Sequence, residues 1–136
     1  MTGQLIFPAQ CGQGATWNKE LIARIGEVEA KEAVALGIPI SILLSLISPK
    51  ILAWGRCVEN NNGEDPLFVG ELGKQMITSL QKHNLVATPK HFAVYSIPVG
   101  GRDGKTRTDP HVAPREMRTL YIEPSGWHFK KPEHWE

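Results

Sequence analysis

The chain has 136 residues, 41% hydrophobic and 21% charged, which is the size and composition of one globular domain with one core. Fifteen basic against 14 acidic side chains leave a net charge of +1. No basic stripe tracks a phosphate backbone or an anionic lipid surface, so neither nucleic acid nor a membrane is an expected partner. Cys11 and Cys57 lie too far apart in sequence for a C-x-x-C pair and read as free thiols, with no disulfide framework or zinc knuckle. The most apolar window, 38–47, is well short of the roughly 20 residues that span a bilayer. Met1 is not followed by a basic then apolar secretory pattern, so the expected compartment is the cytoplasm.

In chain order, Leu21, Ile25 and Val28 recur at helical spacing between charged neighbours, and Gly37 supplies a stop, which predicts a first amphipathic helix over 18–36. The apolar run 38–47, bounded by Gly37 and Pro49, reads as a buried strand, although periodicity alone leaves a helix open. A polar loop follows over 59–64. Asp65 then offers an N-cap and Pro66 suits the first helical position, with Val69, Leu72, Met76 and Leu80 along one face of a second helix. Residues 85–88 form a short apolar strand, and the glycine-rich stretch 96–109 a long loop. A third helix is expected from Pro114, with Met117, Leu120 and Tyr121 inward. Strand alternating with helix is the signature of a parallel α/β sheet or barrel.

In parallel barrels the reactive side chains sit where a strand gives way to its loop, and Thr88-Pro89-Lys90-His91-Phe92 lies at such an end. Five motifs then fall in a shared order and spacing: Trp54-Gly55-Arg56, Gly63-Glu64-Asp65-Pro66, Val69-Gly70-Glu71-Leu72, Pro89-Lys90-His91-Phe92 and Gly100-Gly101-Arg102-Asp103. Together they resemble family 3 glycoside hydrolases of the β-glucosidase type. The resemblance implies an α/β fold, a partial (β/α) barrel fragment with two to three parallel strands and three helices. That unit is one domain over 1–136, with 125–136 as an irregular tail. It also implies that Arg56, Lys90, His91 and Arg102 hydrogen-bond the hydroxyls of the sugar at the non-reducing end. Charged donors suit that task, because several of them can clamp a neutral pyranose and fix its orientation. The implied ligand is a β-glucoside or glucose, and no cofactor is expected. Taken singly, Arg56 and Arg102 read as surface charges and His91 as a satisfied histidine at the sheet edge.

A retaining glycosidase needs two carboxylates about 5–5.5 Å apart. In the family the nucleophile lies in a Ser-Asp-Trp type motif beyond the equivalent of Pro124, and no such motif follows here. The catalytic pair is therefore unknown, and substitutes could come only from Glu64, Asp65, Asp103 or Asp109. Of these, Asp65 is already explained as a cap and Glu64 as a loop residue. His128, Glu133 and His134 have spacings that match no zinc pattern, so no metal site is expected. Two segments, 39–53 and 125–136, depart abruptly from the family pattern. Codons for family-like peptides at both places yield the observed residues once shifted by one base, so shifted reading frames are expected there; sequencing the encoding DNA tests this. Three functions follow: a β-glucosidase-type hydrolase, a non-catalytic sugar-binding chain, or a self-associating structural fragment. Uncovered parallel edges make a homo-oligomer the expected assembly.

Overall fold

A computed structural model of the chain describes residues 5–45, 63–94 and 109–129. A short helix, α1 (Gln10–Gly14), precedes α2 (Lys19–Ala35), which feeds strand β1 (Ile40–Ser45). Helix α3 (Pro66–Gln81) leads to β2 (Val86–Lys90). A C-terminal helical run follows, made of α4 (Pro114–Glu116), a π-helical turn (Met117–Ile122) and α5 (Glu123–Phe129). The fold is α/β. Its sheet has two strands among the described residues, paired parallel from Ile40 opposite Val86 to Leu43 opposite Pro89. A register shift between Leu43 and Ser45 then brings Ser45 opposite Lys90. Residues 40–45 are strand, which settles the choice that spacing left open.

Local chemistry sets the helix ends. Asn18 Oδ1 accepts from Leu21 N at 2.8 Å and Asp65 Oδ1 from Phe68 N at 2.7 Å, each satisfying an orphan amide of a first turn. Gly37 stops α2 at φ +70°. Its N–H reaches Val34 O, and that of Ile38 reaches Ala33 O, the paired bonds of a Schellman ending. Asn84, at φ +59°, does the same for α3, with Leu85 N donating to Leu80 O.

The core lies where α2 meets α3. Val69, Leu72, Met76 and Leu80 are all buried, as their spacing predicts, and they join Ile22, Ile25, Ala30 and Leu85. Each large side chain buried this way contributes about 1.5–3 kcal/mol. The inward face of α2 is rotated from its predicted position. Ile22, Ile25, Gly26 and Ala30 are buried, while Leu21 and Val28 sit half-buried at its margin, because Gly26 lets α3 approach closely. The third helix starts at Pro114 as expected, and Tyr121 is buried with Met117 and Leu120 against it. The tail expected to be irregular from residue 125 is instead helical through Phe129, because α5 packs against α3 with Pro124 and Ser125 buried.

The two long helices run side by side in the same direction. Lys19 Nζ pairs with Glu71 Oε2 at 3.2 Å near their N-terminal ends, and Ser79 Oγ donates to Ala23 O at 2.9 Å. His83 Nε2 meets Glu27 Oε2 at 2.9 Å farther along. Since α3 connects two parallel strands, it descends from the C-terminal end of β1 to the N-terminal end of β2. Both helix N-termini therefore lie at the end of the sheet where Lys90 closes β2.

Candidate functional site

The strand end that closes on Lys90 is the candidate site. Lys90 is the last residue of β2, opposite Ser45, and His91 follows directly. Both are half-buried, Lys90 with its backbone in the sheet and His91 just past its end. The Lys90-His91 and Phe92-Ala93 peptide bonds are cis. The next residues turn back into a second small core, where Val94 and Tyr121 are buried and Ala93, Val112, Met117 and Leu120 pack around them. Val94 holds φ +56°, a conformation that β-branched residues seldom adopt. The C-terminal helical run thus pins the loop that carries Lys90 and His91. Sequence reasoning missed this support, since the unbroken apolar run of Phe92, Ala93, Val94 and Tyr95 gives no hint of a partner nearly 30 residues away.

Two of the four acidic candidates, Asp65 and Asp109, have structural occupations. Asp65 caps α3, with Glu64 exposed beside it. The Asp109 side chain is largely exposed and its Oδ1 accepts from His111 N at 2.8 Å, while Oδ2 stands 3.7 Å from His111 Nδ1. Asp109 therefore holds its own turn. Arg56 and Arg102, expected beside the lysine and histidine, and Asp103, a candidate catalytic acid, lie outside the described residues, as do Cys57, most of the polar loop 59–64 and most of the loop 96–109. Cys11 is exposed and free. Among the described residues no three His, Cys, Asp or Glu side chains gather as metal ligands, and no helix is long and apolar enough to cross a membrane.

An open groove of about 410 Å³ lies elsewhere, on α2, floored by Phe7, Leu21, Ile25 and Val28 with Arg24 and Lys31 beside them. Neither Lys90 nor His91 lines it.

Residues 1–124 match the glycosyl hydrolase family 3 N-terminal domain. Over 129 residues the chain is 26% identical to an exo-α-(1→6)-L-arabinopyranosidase of Bifidobacterium breve (strain ACS-071-V-Sch8b), covering 95% of this chain and 16% of that protein. A probable β-glucosidase H of Emericella nidulans is 30% identical over 120 residues, covering 87% of this chain and 14% of the relative. Among solved structures, a β-glucosidase involved in saponin metabolism from intestinal bacteria superposes with a TM-score of 0.79 at 26% identity, covering 93% of this chain and 17% of that one. The chain thus spans about one sixth of the length of these relatives.

Proposed function

Since the chain belongs to glycosyl hydrolase family 3, we propose that it is a (β/α) barrel portion of a β-glucosidase-type hydrolase that binds the terminal non-reducing β-D-glucosyl residue. The observation that carries this reading is the placement of Lys90 and His91 together at the C-terminal end of a strand in a parallel sheet, where barrel enzymes hold their ligands. Arg56 and Arg102 complete the set of donors. The relatives named above are called after different glycosides, and a cluster of donors for ring hydroxyls suits them all. Asp65 and Asp109 are engaged with backbone amides, so the chain's contribution is grip and orientation, and hydrolysis needs a carboxylate pair beyond these two.

Calorimetry with glucose and cellobiose on the purified chain tests this. Each charged hydrogen bond to a sugar hydroxyl is worth about 1.5–3 kcal/mol, so Lys90→Ala and Arg102→Ala should each weaken binding about ten- to a hundredfold. Any hydrolysis of an aryl β-glucoside should fall in the same variants. Absence of heat with the unaltered chain, or affinity untouched by both changes, overturns the sugar-binding reading. The second reading, self-association as a homo-oligomer, draws support from exposed apolar side chains, among them Ile6, Leu36, Ile38 and Val86.

A further inference from the structure

Two aromatic rings at the same end of the layer as Lys90 stand outside the site described so far. Trp17 is 74% exposed, an unusual position for the largest apolar side chain. It is not loose on the surface. One face of its indole stacks on Phe68, with ring centroids 4.3 Å apart and planes inclined by 24°, which leaves the other face open to solvent. Phe68 is half-buried and packs against the core between α2 and α3, so the stack is tied to that core.

The backbone holds the ring in this place. Trp17 adopts φ +52°, in the left-handed region that bulky residues rarely enter. Its N–H donates to Gly14 O at 3.1 Å, and Thr16 Oγ1 accepts from Asn18 N at 3.3 Å. Close by in the chain, the Lys19 and Glu71 ion pair ties the first residue of α2 to the second turn of α3. A fixed, one-sided aromatic platform, with an ion pair two residues on from Trp17 and three from Phe68, has the chemistry of a sugar contact. The apolar C–H face of a pyranose covers the ring, and the equatorial hydroxyls find donors and acceptors at its edge.

We propose that the open face of Trp17 is a second carbohydrate contact that stacks a pyranose ring of an extended β-linked oligosaccharide. This rests on the glucoside-binding reading for the choice of ligand. The topology supports that occupant, because α2 and α3 both begin at the strand end that carries Lys90 and His91. An oligosaccharide held by its terminal ring at that end leaves its remaining rings on the same side of the molecule.

The test compares glucose with cellohexaose, each titrated into the full chain, into Trp17→Ala, into Trp17→Phe and into Lys90→Ala. Cellohexaose affinity should fall about tenfold in Trp17→Ala and recover most of that loss in Trp17→Phe, with glucose affinity unchanged in both. In the unaltered chain the indole N–H resonance of Trp17, assigned by its loss in Trp17→Phe, should shift on addition of cellohexaose and stay fixed with glucose. This readout is independent of how well Trp17→Ala folds. The proposal is overturned if the indole resonance does not move, or if cellohexaose binds a folded Trp17→Ala as it binds the unaltered chain. Failure of the terminal-sugar reading looks different: glucose does not bind, or Lys90→Ala changes nothing, while the Trp17-dependent response to cellohexaose persists.

Discussion

Gly26 stands where α2 and α3 come closest. A Cβ on it would lie 2.8 Å from Met76 Sδ and 2.9 Å from Ser79 Cβ. The methionine can swing aside, but Ser79 Cβ is fixed to the α3 backbone and its hydroxyl is committed to Ala23 O. Overpacking of this kind costs about 1–3 kcal/mol, against about 1 kcal/mol gained by replacing glycine with alanine in a helix. Gly26→Ala should therefore lose about 1 kcal/mol net, seen as a lower urea midpoint at unchanged slope. Val69, Leu72, Met76 and Leu80 announce their burial through spacing alone. Gly26 and Ser79 do not, since small and polar residues carry no hydrophobic period and their role exists only once the opposing helix is in place. The strand-end position of Lys90 and His91 could be read from the apolar run before them; the burial of Val94 could not, because its partner Tyr121 is distant in sequence.

Between elements, the contact of Glu27 with His83 ties α2 to the end of α3, with Lys82 Nζ 3.9 Å from the other carboxylate oxygen. The hydrogen bond to His83 is the main cause that holds the Glu27 carboxyl below its ordinary range, helped by the charges of His83, Lys82 and Lys31 against a partial loss of hydration. Two residues on, burial and then the neighbouring Glu32 push Glu29 above that range. The two act oppositely on stability. The folded state binds a proton at Glu29 more readily than the unfolded chain does, so the cost of burying its charge is relieved as pH falls through the raised value. The contribution of Glu27 is present above its unfolded pKa and disappears as pH falls through the depressed one. Urea midpoints taken from pH 7 downward should first rise and then fall, with Glu29→Gln removing the rise and Glu27→Gln reducing the fall. Helix ends at Gly37 and Asp65 could be read from residue type. The strand at 40–45 could not be separated from a helix, because its partner, β2, lies more than 40 residues away and only pairing decides.

For the molecule as a whole, alternation of helix and strand is enough to give the parallel α/β arrangement, and the shape match to a much longer β-glucosidase agrees with it. What spacing cannot supply is the mutual position of groups on different loops, so Lys90 and His91 are placed by the sheet they end, and the expected arginines by resemblance alone. Among the described residues the sheet has no third strand, and Leu5, Ile6, Leu36, Ile38 and Val86 are exposed. Unpaired parallel edges and apolar surface invite a second copy. Light scattering should accordingly give a mass above that of one chain, growing with concentration; a constant single-chain mass from micromolar to millimolar would reject self-association. The shared direction of α2 and α3 has a further consequence. Aligned peptide dipoles give each helix a partial positive charge at its N-terminus, worth about 0.3–1 kcal/mol to a nearby anion. Both helices deliver it to the end of the sheet that holds Lys90, so that face carries an electropositive field before any side chain is counted. The chain answers that charge from within, since the Asp65 carboxylate caps α3 and Glu20 lies in the first turn of α2; neutralising either should therefore weaken its helix, and added salt should narrow the difference.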